Sequence, residues 1–372
     1  MTVQGVLIYD LTKSTLYLGL AGFAYGIPFW LFTLYGGVIA DKIPKRTLLI
    51  ITQTSMMFLA FILSYLCFAG IVHPWEILIL SFFLGLANAF DAPARIAFVS
   101  EMVEKEDLAN AVALNTIMVH LASAIGPAVG SLLYLRYGAG LVFSINGISF
   151  LAVILALLLM QLKKITVSKA MASGFQFLKE GINHIICHQS ILPLIGITAA
   201  TCLFGISSAT LFPAWADKVL HGNAGTNGLL QSSRGFGALI SASYIASLGR
   251  FKYKGRLLTI GMIGFSVSSL LFAFVNWLPL SLFLAGVSGF FLIMASSLTL
   301  ALCMTLSEPY FRGRIMSVYS LAFFGIMPIG SLWIGWLGKT IGLAPALIIN
   351  GSLFFVFIMY IYVKFPKIRK LE

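Results

Sequence analysis

Apolar runs long enough to cross a bilayer follow one another along this chain and leave little else to fold. A hydrocarbon core takes about 20 residues of helix. Read at that length, the sequence holds eleven complete spans: 16–40, 48–71, 75–99, 108–135, 139–161, 190–216, 225–249, 257–276, 279–306, 315–338 and 343–364. Residues 1–9 are too short to cross and read as the end of a helix, with Asp10-Leu11-Thr12-Lys13 as the loop after it. The chain is 59% hydrophobic and 10% charged, with mean hydropathy +0.98. Soluble domains are about 45–50% apolar and about 25% charged. Backbone groups in lipid must be hydrogen-bonded within the protein, and spans of this length do so as helices. The expected class is therefore an all-α polytopic membrane protein.

Charge supplies the topology. The net charge of +12 does not form one basic face for nucleic acid; the bases fall in alternate loops. With Lys42 placed in the cytoplasm, only Lys13, Arg136, Lys218 and Lys339 of the 24 Lys and Arg fall outside. Arg95 and Arg234 lie in or at the edge of spans. Cytoplasmic loops carry the excess of Lys and Arg, so this asymmetry orients the chain. It places the central linker and the C-terminus in the cytoplasm, in a multi-pass cell membrane protein. Cys67, Cys187, Cys202 and Cys303 show no Cys-x-x-Cys spacing, and neither a disulfide framework nor a zinc site is indicated.

Residues 162–189 form the longest polar connection, splitting the spans into 1–161 and 190–372. Phe175, Leu178, Ile182 and Ile185 recur there at helical spacing, which predicts a short amphipathic helix on the cytoplasmic surface. Glu180, His184 and His188 share a face of it, read as a solvated face and not a metal site. Two internal echoes support paired halves. Ala40-Asp41-Lys42-Ile43-Pro44-Lys45-Arg46-Thr47-Leu48-Leu49 is echoed by Arg250-Phe251-Lys252-Tyr253-Lys254-Gly255-Arg256-Leu257-Leu258. Gly126-Pro127-Ala128-Val129-Gly130-Ser131 is echoed, one residue shorter, by Met327-Pro328-Ile329-Gly330-Ser331.

The loop Gly36-Gly37-Val38-Ile39-Ala40-Asp41-Lys42-Ile43-Pro44-Lys45-Arg46 packs an acid and three bases between two apolar runs. It resembles the loop between helices 2 and 3 of the major facilitator superfamily, with Pro44 in place of a second glycine. Gly126-Pro127-x-x-Gly130-Ser131 resembles that superfamily's antiporter motif, with Ser131 in place of its last glycine and Ala113 and Ala122 in place of its upstream ones. The run Pro93-Ala94-Arg95, an acidic loop, then Leu108-Ala109-Asn110-Ala111-Val112-Ala113-Leu114-Asn115 is similar to the exporter branch containing the enterobactin exporter and macrolide-efflux-type proteins. The resemblance covers nearly the whole chain. It implies a major facilitator fold of two six-helix bundles, here with the first helix largely missing and another apolar stretch expected upstream.

The resemblance also implies roles. Gly37, Asp41, Lys42, Lys45 and Arg46 would form a cytoplasmic gating loop that engages Asp91 and Arg95 and meets a helix start near Gly313–Ser317. Asp91 and Arg95 are four apart, on one helical face. Gly126, Pro127, Gly130 and Ser131 would let helices approach closely and seal one side of a cavity. Tyr25, Phe29, Trp30, Asn115, Phe204, Gln231 and Arg234 are candidates for the substrate cavity, Arg234 being the most isolated charge of the second half. Asp10 and Asp217 read as caps at outer helix ends.

There is no Gly-x-x-x-x-Gly-Lys-Ser/Thr loop, no His-Glu-x-x-His and no nucleophile elbow in the sequence. The expectation is a non-enzymatic secondary transporter without cofactors, acting as a monomer in lipid. It would export a small amphipathic, drug-like molecule by alternating access, coupled to protons. A siderophore exporter is the alternative within the same class, and a non-transporting, degenerate membrane protein is the alternative outside it.

Overall fold

The computed structural model describes residues 2–104, 106–160, 174–188, 190–249, 252–308 and 310–366, and their side chains except at 33–42, 100, 101, 108, 109, 113, 175–179 and 187. The described residues form helices and no strand: α1 Thr2–Thr12, α2 Thr15–Lys42, α3 Lys45–Ala69, α4 Pro74–Met102, α5 Leu108–Leu159, α6 Gly174–Cys187, α7 Ile191–Ala200, α8 Phe212–Lys218, α9 Ala224–Ser247, α10 Lys254–Phe272, α11 Leu278–Leu306, α12 Arg312–Thr340 and α13 Leu343–Lys364. A π-helical turn, Thr201–Ile206, and a 3-10 turn, Ser207–Leu211, join α7 to α8 into one crossing.

Local chemistry sets the breaks. Gly70 ends α3 in the left-handed conformation, its N–H returning to Cys67 and Leu66 carbonyls. Pro74 opens α4 where its missing N–H costs nothing. Asn223 caps α9, its side chain accepting from the Gly225 and Thr226 N–H groups. The predicted loop at 136–138 is a corner at one residue: Gly138 has φ 79 and ψ 172, and helix resumes directly after it. At about 1.5 Å per residue, the 52 residues of α5 would otherwise outrun a bilayer core more than twofold. Among the described residues, nine stretches are long and apolar enough to span, with α5 taken as one. Dividing α5 at Gly138 and adding α9, whose Gln231-Ser232-Ser233-Arg234 lowers its hydropathy, makes eleven crossings.

Within the first half, α2 packs on α4, and α3 on α4 and α5. Within the second, α9 packs on α11, and α10 on α11 and α13. Two seams join the halves, α2 on α12 and α5 on α9. The internal repeat relates them: the first echo maps the junction of α2 and α3 onto that of α9 and α10, and the second maps α5 onto α12. Each seam thus pairs one copy of each repeated helix, as a parallel repeat about an axis normal to the membrane requires.

The seams are made by small residues, on the helices opposite the predicted motif. A Cβ on Gly228 of α9 would lie 2.5 Å from Ser131 Cβ and 2.7 Å from the Pro127 carbonyl oxygen. A Cβ on Gly22 of α2 would lie 2.7 Å from Ser331 Cβ, and one on Gly26 would overlap the Pro328 ring. A proline and a serine one turn apart on α5 and on α12 therefore each meet glycine on the partner helix. Gly126 has nothing within 4 Å, and Gly130 meets only Val3 of α1. Of the four predicted motif residues, Pro127 and Ser131 face the seam; Gly126 and Gly130 do not, because they lie on other sides of the same helix.

The ends of the molecule differ. At the end carrying Lys13, one apolar cluster draws Leu7, Leu18, Leu63 and Ile77 from the first half and Phe212, Trp215, Ile334 and Leu347 from the second. At the end carrying Arg46, Leu48, Leu49, Ala94, Phe98 and Leu157 cluster within the first half alone. Ile191, Ile315 and Val318 of the second half gather separately, with Ile185 of α6.

Candidate functional site

Asp91 lies on α4 with no exposed surface. Its Oδ1 accepts from Thr52 Oγ1 at 2.8 Å and from Gln53 Nε2 at 2.9 Å, both on α3. Its Oδ2 accepts from Arg95 Nε at 3.1 Å and from Arg95 Nη2. A buried carboxylate must be paired and hydrogen-bonded, and here both conditions are met inside one half. The predicted Asp91–Arg95 pair is formed, and Arg95 keeps 56% of its side chain exposed. Thr52 and Gln53 were missed in the sequence. Their signal was a polar pair at the buried face of an apolar span, which needs a partner.

The gating loop is only partly described. Gly37, Asp41 and Lys42 belong to the last turns of α2, and their side-chain positions lie outside the described residues. Lys45 opens α3. Arg46 reaches the end of α5, where Nη2 donates to the Leu158 carbonyl at 2.6 Å. That is not the expected contact with Asp91 and Arg95; a guanidinium is favoured at the free carbonyls of a helix C-terminus. The start of α12 is engaged by α6. Arg314 Nη2 lies 2.9 Å from Glu180 Oε2, and His184 stacks on Phe311 with ring centres 4.0 Å apart. The predicted linker helix is present, docked on α12 through Ile185.

The aromatic candidates meet where α2 crosses α12. Phe29 is buried and stacks on Phe324, centres 5.1 Å apart and planes 12° apart. Tyr25 packs 5.9 Å from Phe29. Trp30 donates from Nε1 to the Gly325 carbonyl at 2.5 Å and leaves 53% of its surface exposed. Phe204 lies in the π turn, where its carbonyl accepts from Asn350 Nδ2 at 2.5 Å. Asn115 and Gln231 are part-buried and make no side-chain hydrogen bond among the described residues.

Arg234 of α9 is part-buried beside that π turn. Its Nη2 donates to the Gly205 carbonyl at 3.2 Å, and its guanidinium sits 5.9 Å from the centre of the Phe212 ring. Among the described residues it has no carboxylate partner.

The Lys13 end carries a second ionic group. Lys13, in the left-handed conformation with φ 49, puts Nζ 3.3 Å from Asp10 Oδ1 and 3.5 Å from Asp217 Oδ2. Tyr134 donates to Asp10 Oδ2 at 2.8 Å. Read from the sequence as helix caps, Asp10 and Asp217 are instead joined by Lys13 across the two halves.

Comparison with known proteins places these features. A family model described as transmembrane secretion effector matches residues 2–372. The staphyloferrin A transporter of Staphylococcus aureus (strain NCTC 8325 / PS 47) is 24% identical, over 91% of this chain and 85% of that one. Macrolide efflux protein A of Streptococcus pyogenes is 19% identical, over 100% of this chain and 93% of that one. Among solved structures, a bacterial homologue of the human lysosomal transporter Spinster, inward-facing and unoccupied, superposes with a TM-score of 0.75 over 99% of this chain and 93% of that one, at 14% identity.

Proposed function

Because the chain belongs to the transmembrane secretion effector family of major facilitator transporters, we propose that it exports a small amphipathic molecule from the cytoplasm by alternating access, coupled to inward proton movement. The Arg46 end faces the cytoplasm, since the basic loops gather there. The observation that carries the reading is the contrast between the ends. The halves share one apolar cluster and an ion pair at the Lys13 end, and hold separate clusters at the Arg46 end. That supports an arrangement closed to the outside, with the aromatic crossing of Tyr25, Phe29 and Trp30 reached from the cytoplasm. Closure of the cytoplasmic end would bring the loop Gly37–Arg46 toward the Asp91–Arg95 pair and the start of α12.

One observation favours an anionic substrate of the siderophore type over an uncharged drug-like one. Arg234 is a cation at membrane depth with a backbone carbonyl and a ring for company and no described carboxylate. Such residues mark substrate pathways. The relative named a staphyloferrin A transporter is consistent with this reading.

Proteoliposomes test both statements. With a pH gradient imposed, the protein should move a polycarboxylate siderophore probe, and Arg234→Gln should lower that flux by about tenfold, the scale of one charge-assisted hydrogen bond. A macrolide probe should be unaffected by the same change. Flux of neither probe would contradict the exporter reading; equal loss for both would remove Arg234 from anion selection.

A further inference from the structure

Three consecutive carbonyls in the second half have lost their place in a helical ladder. The span from α7 to α8 widens to i→i+5 spacing in the π turn Thr201–Ile206 and tightens to i→i+3 spacing in the 3-10 turn Ser207–Leu211. Passing from the wide spacing to the tight one skips acceptors. Leu203, Phe204 and Gly205 sit at that change, where the main chain has too few N–H groups to serve all three carbonyls. Side chains make up the shortfall. Ser207 Oγ donates to the Leu203 carbonyl, Asn350 Nδ2 to that of Phe204 at 2.5 Å, and Ser208 Oγ to that of Gly205 at 2.7 Å. The Gly205 carbonyl takes a second donor, Arg234 Nη2, at 3.2 Å.

Ser207 and Ser208 belong to the turn itself, whereas Asn350 comes from α13. Its amide nitrogen is the one side-chain donor to the Phe204 carbonyl among the described residues. Asn350 is 1% exposed in an apolar span, and its Oδ1 has no partner there. Burying an amide with its oxygen unpaired is costly. The residue is therefore present for the bond it gives. Its own helix is fixed beside it: Ser266 Oγ of α10 donates to the Gly351 carbonyl at 3.1 Å, and Phe354 packs edge-on against Phe265 at 5.4 Å.

The turn is closely enclosed. A Cβ on Gly205 would lie 2.9 Å from Leu292 Cδ1 and 3.4 Å from Phe265 Cε1, and one on Gly330 of α12 would lie 2.6 Å from the Leu203 carbonyl oxygen. Seated against α10, α11, α12 and α13, the turn has its carbonyl directions set. In a regular α-helix the Gly205 carbonyl would point along the axis to an N–H four residues on. Here it is offered to α9, where it holds Arg234 Nη2, with the Phe212 ring 5.9 Å from the guanidinium. A guanidinium carries five N–H donors in one rigid plane. Anchoring one of them orients the plane and leaves the others for a carboxylate.

We propose that Asn350 is a positioning residue for anion recognition. By sustaining the π turn it sets the Gly205 carbonyl, and through that carbonyl the plane in which Arg234 meets a carboxylate of the exported molecule. The inference rests on the reading of Arg234 as the anion-binding residue. Without the Asn350 amide the Phe204 carbonyl is stranded, and the span returns toward α spacing, which gives each carbonyl an N–H again. The anchor of Arg234 is then lost. Turns of this kind gather at functional sites, and this one would act by aiming a charge.

Equilibrium binding to the purified full chain tests this, with staphyloferrin A as the polycarboxylate probe and erythromycin as the macrolide probe. Arg234→Gln should weaken staphyloferrin A binding by about tenfold. Asn350→Leu, close in size, should weaken it by about fivefold, leave erythromycin binding unchanged, and add nothing further once Arg234→Gln is present. An asparagine that merely supports the fold would weaken both probes alike and add its full effect in the double variant. Either of those results, or unchanged staphyloferrin A affinity in Asn350→Leu, overturns the proposal and leaves the reading of Arg234 standing. Unchanged affinity in Arg234→Gln, or no binding of staphyloferrin A by the unaltered protein, overturns that reading and the proposal with it. Should erythromycin not bind, the double variant decides. Should Asn350→Leu fail to fold, Asn350→Ala is held to the same outcomes.

Discussion

Asp91 shows what a single side chain contributes. Fully buried, it gathers two neutral donors from α3 and the guanidinium of Arg95. Removing one partner of a buried pair typically costs about 3–5 kcal/mol. Asp91→Asn keeps the shape and takes away the charge, and because Arg95 is largely exposed it can re-solvate, so the cost should fall below that range. In vesicles, substrate exchange and gradient-driven efflux by this variant should fall together, as expected when a latch is lost. Loss of response to the pH gradient with exchange intact would instead make Asp91 a proton sensor. Asp41→Asn should weaken transport while insertion, followed by the amount of protein in the membrane fraction, stays normal. The Asp91–Arg95 pair was legible in the sequence because four-residue spacing puts both on one helical face. Thr52 and Gln53 were not, since nothing local names which helix a polar pair will meet. The destination of Arg234, a π-turn carbonyl, was equally out of reach: apolar periodicity does not distinguish a π turn from the α-helix around it.

At the scale of elements, the seams carry the argument. Spans and their order were legible because each needs about 20 apolar residues and alternate loops carry the bases. The repeat even related α5 to α12. Which residue on the opposite helix makes room was hidden, because partner choice between helices is non-local, so the glycines of α9 and α2 went unremarked beside Gly126 and Gly130. Gly228→Leu and Gly22→Leu should each force a seam apart, at about 1–3 kcal/mol for overpacking, and reduce transport strongly. Gly126→Leu meets open space and should be tolerated. Transport assays on the three variants at matched membrane levels check this; equal loss in all three would remove the seams from the account. Docking of α6 on α12 through Glu180–Arg314 is a second element-scale contact. Glu180 is 44% exposed but Arg314 only 13%, so Glu180→Gln removes the charge beside a mostly buried guanidinium and should lower thermal stability by more than the roughly 0.2–1 kcal/mol of an exposed pair.

For the whole molecule, the account holds that two halves rock about the α2–α12 and α5–α9 seams; among the described residues the halves share an apolar cluster at the Lys13 end and hold separate clusters at the Arg46 end. Transporters switch between states separated by a few kcal/mol, so a small contact at one end can move the balance. The Lys13–Asp217 pair is exposed on both sides and worth about 0.2–1 kcal/mol, enough for up to a roughly fivefold change in a two-state ratio. The most direct measurement uses pairs of spin labels in lipid nanodiscs, one pair at Asp107 and Lys252 across the Arg46 end, the other at Trp75 and Asn276 across the Lys13 end. The account predicts two populations in each distance distribution, and Lys13→Ala should shorten the Asp107–Lys252 distance on average while lengthening Trp75–Asn276. A single unmoved population at both ends, or both distances changing in the same direction, would contradict it.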